Sequence, residues 1–378
     1  MRILHFADAH LDRPFVGVSA DARKHRQASL WRAFERCLAA ARDRSVDLVT
    51  IGGDLWEDES VSENTRAAVA WELGKLEMPV LVISGNHDPR LPGGNYDQAN
   101  WLDNVYIFPA GKLTERRLGD VSVWGISWQG GMLSSAFLDS VALPEDGRTH
   151  LLLLHGTSVA SAFADEGAGY CTFDPARVRA AGFALCLAGH IHAASSADGV
   201  VYPGSPEPLG WGEQRDHCFA MISAGGGKAE VELEQVNETR YEERPVDCDG
   251  AESDAEVRDR IAQILSDDEE TSRLYLRLHL AGEVARGCVI DLAVLAEPYA
   301  AQYGALEIRD KTSPAFNYAE IAKRPTADGL FVSDLLARIE AEEDADRRGI
   351  LELGLRAGMR SLEDVTPLIS VGLPAHAD

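Results

Sequence analysis

The chain has 378 residues, of which 45% are hydrophobic and 26% are charged, and it carries a net charge of −25. A chain of this length is larger than one core usually organises, so about two or three domains are expected. We expect no signal peptide and no membrane span, because no apolar run approaches the length of a bilayer. The six cysteines are scattered without a CxxC pair, which predicts reduced thiols and a cytoplasmic protein.

The first 240 residues alternate between helical and strand patterns. Helices are predicted over 28–45 and 64–77, where apolar residues recur at helical spacing. Apolar runs that end in turns predict strands at ILHF, VDLVTI, PVLVIS, VSVWGIS, HLLLLHG and ALCLAGHIH, and a hairpin over 218–236. This alternation predicts an α/β layered domain with a central sheet over residues 1–240.

A different pattern begins after residue 240. Ser253 and Glu256 form a capping-box pair at the start of an amphipathic helix. The segment LYLRLHL alternates strictly, with its leucines on one face, as a half-buried strand does. These patterns predict a small α+β domain over residues 241–312.

The remaining residues are predicted to form a linker and a terminal helix pair. Residues 313–330 contain two prolines and a glycine, which is typical of a linker. Helices over 331–345 and 348–360 are predicted within the C-terminal segment 331–378. Their apolar faces either pack on their own domain or form a docking surface for a partner.

The acidic residues are concentrated in the last 138 residues, which hold 29 Asp and Glu against 15 Lys and Arg. Proteins that bind DNA broadly usually carry a basic surface. The excess is typical of a solvated acidic surface, and it argues against strong non-specific DNA binding by this chain alone. It does not argue against a metal site that handles phosphates locally.

Five of the predicted strands end in side chains that can bind metals. In chain order these are Asp8 and His10, then Asp54, then Asn86, His87 and Asp88, then His155, and finally His190 and His192. Each end has a structural alternative, such as a turn whose Asn and Asp bond their own backbone. Ligands of open α/β sheets bind beyond the carboxyl ends of the strands. The recurrence of such residues at strand ends therefore favours one shared site.

The types of these residues indicate the chemistry. Carboxylates, an amide oxygen and imidazoles suit a pair of divalent transition ions such as Mn²⁺, with Mg²⁺ as the alternative metal, rather than a thiolate zinc site. Such ions lie about 3.5–4 Å apart, share a bridging carboxylate and supply hydroxide from a bridging water. Asp54 is the candidate bridge, because its turn lies between those of the other ligands. His87, beside Asn86, is the candidate acid that protonates the leaving alkoxide.

These motifs resemble those of the calcineurin-like metallophosphoesterases and, among them, the SbcD-type DNA-repair exonucleases with their YhaO-like branch. The similarity runs through ILHFADAHLDRPF, VDLVTIGGDLW, PVLVISGNHDP, LLLLHG, LAGHIH and VYPGSPE. It implies a layered metallophosphoesterase β-sandwich flanked by helices, followed by a small α+β capping domain and C-terminal helices. The segment PLGWGEQRDHC at 208–218 follows these motifs, and its role stays open.

The resemblance also implies a role for each site residue. One ion would be bound by Asp8, His10, Asp54 and His192, and the other by Asp54, Asn86, His155 and His190. His87 would donate a proton or hydrogen bond in the transition state.

The resemblance further implies a reaction and partners. The reaction would be a metal-dependent DNA nuclease activity, 3′–5′ on double strands with endonuclease activity on single strands. The domain over 241–312 would cap the side that binds DNA ends. The helices in 331–378 would dock on an SbcC-like coiled-coil ABC-type ATPase, and the phosphoesterase domain would form a homodimer. Two alternatives stay open: a metallophosphoesterase of nucleotides or small phosphodiesters, and a mainly scaffolding subunit.

Overall fold

The computed structural model describes residues 1–131, 135–160, 171–266, 268 and 271–363. The end of the predicted C-terminal segment, 364–378, lies outside these residues. The chain divides into two compact units. The first comprises Met1–Glu243, Glu269–Arg277 and Tyr299–Leu306, and the second comprises the described parts of Arg244–Asp268, Leu278–Pro298 and Glu307–Asp378. The functional boundaries expected at residues 240, 312 and 330 stay a prediction.

The described residues form seventeen strands. In chain order these are β1 (Arg2–Phe6), β2 (Leu48–Ile51), β3 (Val80–Val82), β4 (Val105–Ile107), β5 (Thr114–Leu118), β6 (Val121–Gly125), β7 (Thr149–His155), β8 (Thr157–Ser158), β9 (Thr172–Phe173), β10 (Leu185–Gly189), β11 (Ser195–Ala197), β12 (Val200–Tyr202), β13 (Cys218–Gly225), β14 (Lys228–Gln235), β15 (Arg240–Asp247), β16 (Leu274–Val284) and β17 (Ala305–Pro314).

The same residues form nine α-helices and two short 3₁₀ helices, Ser135–Ser140 and Thr271–Arg273. The α-helices are α1 (Ala20–Asp43), α2 (Glu63–Gly74), α3 (Asn95–Gln98), α4 (Pro175–Ala180), α5 (Asp254–Leu265), α6 (Leu292–Ala296), α7 (Tyr318–Ile321), α8 (Ala327–Ala341) and α9 (Ala345–Glu363).

Two six-stranded sheets form the framework of the first unit. Their strand orders are β14-β13-β1-β2-β3-β4 and β11-β12-β10-β7-β6-β5. Strands β1 to β4 run parallel in the first sheet, and β6, β7, β10 and β12 run parallel in the second. The predicted layered α/β sandwich is confirmed, with two sheets in place of one central sheet. The predicted hairpin over 218–236 is also confirmed as β13 and β14.

Alternation along the strands builds the layers of this unit. In β1, Ile3 belongs to the apolar core shared by strands of both sheets. Its neighbours Leu4 and Phe6 belong to a second core that also holds Phe34 of α1. Val178 of α4 packs in a third core with residues of the second sheet. The order of layers is therefore helix, sheet, sheet, helix, as period-two strands with both faces covered require.

The two predicted helices of this unit are present, with shifted ends. Helix α1 begins before the predicted 28–45, because the Ser19 side chain caps it by accepting from Ala22 N. Its first turns are polar and therefore lack the apolar period that predicts a helix. Helix α2 begins at the cap Ser62, which accepts from Thr65 N at 3.1 Å.

Strands β15, β16 and β17 form a three-stranded sheet. The leucines of LYLRLHL are buried as predicted: Leu274, Leu276, Leu278 and Leu280. The expectation of a half-buried strand is wrong for the other face, because Tyr275 and Arg277 are also buried, at 8% and 7% exposure. Each of these two side chains packs against an aromatic ring, which the alternating pattern does not reveal.

In the last helices of the second unit, some apolar residues are buried and others are exposed to solvent. A small core joins residues of α7, α8, α9 and the segment before them, namely Phe316, Ile321, Val332, Leu355 and Met359. Leu330, Ile350 and Leu353 are exposed. Both interpretations of the helix pair therefore remain available. Among the described residues, we find no helix with the length and apolarity needed to cross a bilayer.

Candidate metal centre

The predicted site residues follow five parallel strands of the two sheets. Those of the first sheet follow β1, β2 and β3: Asp8, His10, Asp54, Asn86, His87 and Asp88. Those of the second sheet end or follow β7 and β10: His155, His190 and His192. The structure brings them together at the carboxyl ends of the strands, where ligands of such sheets bind.

Asp54 lies at the centre of the group. Its Oδ2 atom is 3.7 Å from Nε2 of His10 and 3.4 Å from Nε2 of His155. Its Oδ1 atom accepts a hydrogen bond from the His87 backbone N–H at 2.8 Å. The carboxylate thus faces donors of both sheets, which is the position a bridging ligand needs.

Two clusters of potential ligand atoms lie on either side of Asp54. In one, Nε2 of His10 is 3.1 Å from Nε2 of His192, and Asp8 belongs to the same group within 4.8 Å. In the other, Asn86 Oδ1 lies 2.9 Å from both His155 Nε2 and His190 Nδ1.

These donors fit the predicted divalent ions. In each group, imidazole nitrogens and carboxylate oxygens lie within 4.8 Å of one another, and no thiol is among the groups found in the described residues. The Asn86 amide oxygen lies 2.9 Å from nitrogens of His155 and His190. Carboxylate and carbonyl oxygens suit Mn²⁺ and Mg²⁺, and imidazole nitrogens suit divalent transition ions, so the mixed set is compatible with Mn²⁺. The predicted ligands thus lie close together, and His87 also groups with His10 and Asp54 within 4.8 Å. The role of each residue stays a prediction.

The backbone at the site is strained. Asp8, His10, Asp54 and His190 have φ angles of 56°, 45°, 50° and 100°, in the left-handed region. A residue other than glycine held there costs about 1–3 kcal/mol. Such outliers persist where the surrounding structure holds them, and here they turn four side chains towards one point.

Glycine at the strand ends permits close approach of the turns. A Cβ atom on Gly85 would meet the Asp54 carboxylate and would lie 2.6 Å from Cε1 of His155. Gly53 has a φ angle of 94°, and its Cβ would lie 2.7 Å from His155 Nδ1. Only glycine fits either position without displacing a predicted ligand.

Glu57 joins a predicted ligand to the candidate acid. Its Oε1 atom accepts from His10 Nδ1 at 2.9 Å, and its Oε2 atom accepts from His87 Nδ1 at 2.9 Å. Arg13 also donates to Oε1 at 2.9 Å. Burial raises the pKa of Glu57, but the hydrogen bonds from both imidazoles outweigh it and hold this pKa below its usual range. The Glu57 hydrogen bond in turn raises the pKa of His87.

Glu213 has the same relation to His192. Its Oε1 atom accepts from His192 Nδ1 at 2.7 Å, and its Oε2 atom accepts from the Leu209 backbone N–H at 2.7 Å. His155 instead directs Nδ1 to the Gly52 carbonyl at 2.9 Å. A carboxylate or carbonyl on the far nitrogen fixes the ring and leaves the other nitrogen for a metal.

Asp88 has a structural role in the GNHD turn. Its Oδ1 atom accepts from the backbone N–H of Asp54 at 3.1 Å and of Gly85 at 2.5 Å. Its Oδ2 atom accepts from Leu55 N at 2.6 Å and from the Tyr96 hydroxyl at 2.7 Å. Burial, followed by the Asp54 charge, raises the pKa of Asp88 to about 7. The carboxylate thus connects the turns after β2 and β3.

The histidine environments differ in the metal-free chain. Burial lowers the pKa of His155, but the Asp54 charge and hydrogen bond outweigh it and raise that pKa to about 9. Burial and the His155 charge lower the pKa of His190 to about 3. Burial also lowers the pKa of His10. Bound metal requires neutral imidazoles, so metal binding at His155 releases a proton, whereas His190 is already neutral at about pH 7.

A cavity of about 370 Å³ opens onto the site. It is lined by Asp54, Asn86, His87, His190, Ile191, His192, Ala193, Gly212, Glu213, Arg215 and His217. The His87 side chain is 41% exposed, so a substrate can reach it. Arg215 is the cation among these lining residues. The cavity therefore combines the metal donors, a potential proton donor and a group suited to phosphate.

Sequence reasoning named every strand-end residue of this site and missed its supports. Glu57 follows Asp54 by three positions, but no spacing rule separates it from the neighbouring Asp58 and Glu59. Glu213 and Arg215 lie in the segment 208–218 that no motif explained. The one signal that could have indicated either glutamate is the general tendency of carboxylates to support the histidines of metal sites.

Comparisons with known proteins agree with this geometry. The model of the calcineurin-like phosphoesterase family matches residues 1–194. The uncharacterized metallophosphoesterase YhaO of Bacillus subtilis (strain 168) is 26% identical over 270 residues, which cover 67% of this chain and 64% of that protein.

Two archaeal proteins are also similar. The DNA double-strand break repair protein Mre11 of Methanopyrus kandleri is 23% identical, over 69% of this chain and 62% of its own length. Mre11 of Haloferax volcanii is 24% identical, over 96% of this chain and 76% of its own length. The chain thus spans less than two thirds of YhaO and of the Methanopyrus protein.

Proposed function

The chain belongs to the calcineurin-like phosphoesterase family, and we propose that it is a divalent-metal-dependent DNA nuclease of the SbcD type. The proposed reaction is hydrolysis of phosphodiesters, as a 3′–5′ exonuclease on double strands and an endonuclease on single strands. The similarity to two Mre11 proteins, named as DNA double-strand break repair proteins, supports DNA as the substrate.

One observation carries the proposal. The Asp54 carboxylate lies between two donor clusters, with Oδ2 within 3.7 Å of His10 Nε2 and 3.4 Å of His155 Nε2. Two ions held there would supply Lewis acidity and an activated water for attack on phosphorus. Asp8, His10, Asp54 and His192 would hold one ion, and Asp54, Asn86, His155 and His190 the other. Mn²⁺ is the proposed metal, with Mg²⁺ as the alternative.

His87 is the proposed general acid. Its ring lies 4.8 Å from that of His10, faces the cavity and is held at Nδ1 by Glu57. The raised pKa favours the protonated ring. As the bond between phosphorus and the leaving oxygen breaks, the proton passes from His87 to that oxygen. Glu57 keeps the ring oriented and stabilises its charged form.

The proposal extends to other parts of the chain. Residues 241–312 would cap the DNA-binding side, and the helices in 331–378 would dock on an SbcC-like ATPase in the cytoplasm. The exposed Ile350 and Leu353 support such a surface. A homodimer through the phosphoesterase domain is also proposed. Deletion of 331–378 is then expected to abolish co-purification with the ATPase, and retained binding would place the interface elsewhere.

The central test is cleavage of a 5′-labelled DNA duplex by the purified chain with Mn²⁺, with His87→Ala measured beside it. The wild type is expected to produce a ladder of shortened products, whose pattern gives the polarity. His87→Ala is expected to bind metal as the wild type does and to lose about 10²–10⁴-fold in turnover. Wild-type rates from this variant at saturating metal would remove His87 from the mechanism.

A second substrate class follows from the breadth of the metallophosphoesterases. Hydrolysis of a chromogenic phosphodiester without any cleavage of DNA, with and without an SbcC-like ATPase, would favour a small-molecule phosphodiesterase. DNA cleavage only when the ATPase is added would instead support a nuclease that depends on its partner.

A further inference from the structure

The segment 208–217 connects the metal centre to a buried aromatic cluster of the first unit. At its centre Glu213 accepts a hydrogen bond from His192 and another from the backbone of Leu209. The second bond closes the segment on itself, so the carboxylate cannot move without opening the loop. We call residues 208–217 the support loop. The position of His192 therefore depends on how this loop is held.

Trp211 anchors the support loop on one side. The guanidinium carbon of Arg277 lies 3.9 Å from the centroid of its ring, in a cation–π contact. The ring of Tyr241 meets it edge-on at 5.0 Å, and Tyr275 stacks on Tyr241 at 4.9 Å. Arg277 is 7% exposed and is paired with Glu243 at 2.9 Å.

Arg26 anchors the start of the loop. Its Nη2 atom donates to the Pro208 carbonyl at 3.1 Å. Its guanidinium carbon lies 4.2 Å from the Phe15 centroid and 5.2 Å from that of Tyr241. Arg26 is 8% exposed, and a cation buried to this extent needs specific partners to remain stable. The cluster supplies them from aromatic faces and one loop carbonyl.

These contacts suit the orientation of a metal ligand. Cation–π contacts that are shielded from water are stronger than exposed ones. Arg277 and the edge-on Tyr241 contact Trp211, two residues before Glu213. Arg26 holds the start of the loop at Pro208 and contacts the ring of Tyr241. A residue that holds a metal ligand typically changes metal affinity or activity by about 10–100-fold when it is substituted.

We propose that Trp211, Arg26 and Arg277 are positioning residues that act through Glu213 on His192 and so set the affinity of the metal centre. The inference rests on the proposed function only in taking His192 as a metal ligand. It assigns a role to the support loop that no motif of the sequence indicates. Trp211, Arg26 and Arg277 are not among the described residues that line the cavity over the site.

The test measures Mn²⁺ affinity by calorimetry on the full-length protein, without substrate. Glu213→Gln is expected to lower the affinity of one ion by about 10–100-fold, and Trp211→Ala by about tenfold. Trp71→Ala is the matched control, because Trp71 is 61% exposed on α2 and outside the anchor; its affinity is expected to equal that of the wild type. Trp211→Phe keeps an aromatic face for Arg277 and is expected to restore most of the affinity.

A double-mutant cycle separates action through Glu213 from a general structural effect. In the Glu213→Gln background, Trp211→Ala is expected to lower the affinity by less than about twofold, because the pathway is already broken. Equal loss from Trp211→Ala in both backgrounds would overturn the inference. Circular dichroism and a thermal midpoint measured on each variant identify unfolding, and Trp211→Phe then supplies the decisive comparison.

The outcomes also separate this inference from the proposed function. Wild-type affinity in both Glu213→Gln and Trp211→Ala would overturn the positioning role alone. Absence of Mn²⁺ binding by the wild type would overturn the metal-dependent function itself. Metal binding with the expected losses but without DNA cleavage, both with and without an SbcC-like ATPase, would support the positioning role and refute the nuclease.

Discussion

The two sheets contribute unlike halves to one site. The first sheet supplies the charged and amide oxygens, from Asp8, Asp54 and Asn86, with one imidazole. The second sheet supplies imidazoles only, from His155, His190 and His192. In the proposed centre, the first half would provide the negative charge that attracts divalent ions, and the second would provide imidazoles that complete their coordination.

The two halves are also held differently. In the first sheet, Asp88 connects the turns after β2 and β3, close to the residues it supports. In the second sheet, His155 is held by the Gly52 carbonyl of the first sheet, and His192 by Glu213 of the support loop. The imidazole half thus takes its orientation from residues outside its own strands. This difference predicts that substitutions in the two halves have different consequences.

The largest effect is expected where both halves meet. Asp54→Asn removes the carboxylate charge that lies between the two proposed ion sites, so loss of both ions is expected. Metal polarisation contributes several kcal/mol, so activity is expected to fall by at least about 10³-fold. His190→Ala, in the second half, is expected to lose one ion only. Calorimetric stoichiometry and phosphodiester hydrolysis measure both, and equal stoichiometry in the two variants would contradict a bridging Asp54.

The next effect concerns the support of the first half. Glu57→Gln keeps the shape of the side chain and removes the charge that His10 and His87 share. A loss of about 10–100-fold in turnover is expected, because the ring of the proposed acid loses its anchor and its stabilised charge. Glu59→Gln is the control, since Glu59 is exposed nearby. Similar rates for both variants would show that Glu57 does not act on His87.

The contrast between donors and supports also explains what the sequence could predict. Period-two and helical patterns predicted the α/β layers, and residues such as His190 and His192 stood out because they follow an apolar strand. The supports could not be predicted in this way. Glu213 contacts His192 across 21 positions of the chain, and its surroundings carry no pattern that differs from an ordinary loop.

Strand β16 shows the same limit of sequence patterns. Strict alternation predicted that Tyr275 is exposed to solvent, yet its ring stacks on that of Tyr241 at 4.9 Å. Periodicity reports which residues share a face, but it does not report what covers that face. Contacts between segments that are distant in sequence decide what covers a face. Local patterns therefore could not predict the aromatic side chains that hold the support loop.

A third prediction concerns the interface between the two sheets, below the site. His5 of β1 is fully buried, with Nδ1 at 3.0 Å from the Thr50 hydroxyl and Nε2 at 3.2 Å from the Ala188 carbonyl of β10. Burial lowers the pKa of His5 from 6.5 to about 4. Folding therefore favours the neutral ring, while the unfolded chain takes up a proton as the pH falls below 6.5.

The stability due to neutral His5 is thus present above pH 6.5 and is lost as the pH falls towards 4. At about pH 5 the loss is expected to be about 2 kcal/mol relative to about pH 7.5. His5→Gln, which can satisfy both partners without titrating, is expected to lack this part of the pH dependence. His25→Gln, exposed on α1, is the control. The free energy of unfolding is measured with urea at both pH values. An equal change of this free energy with pH in His5→Gln and in the wild type would contradict the assignment.

The smallest effect is expected at the mouth of the cavity, where the oxygen-rich half and the imidazole half are both exposed to substrate. Arg215, His87 and His192 line this cavity. The chain as a whole holds 36 Lys and Arg against 61 Asp and Glu, so cations that could contact a polyanion are outnumbered. Arg215→Gln is expected to raise the KM for DNA by a few-fold and to lower the slope of log KM against log salt by about 1, as loss of one phosphate contact does. Arg117→Gln, on β5 with a side chain that is 56% exposed, is expected to change neither.

A loss in kcat with an unaltered salt slope would instead assign Arg215 to the shape of the support loop, since it lies two residues from Glu213. The same measurement therefore separates attraction of substrate phosphate from orientation of the imidazole half.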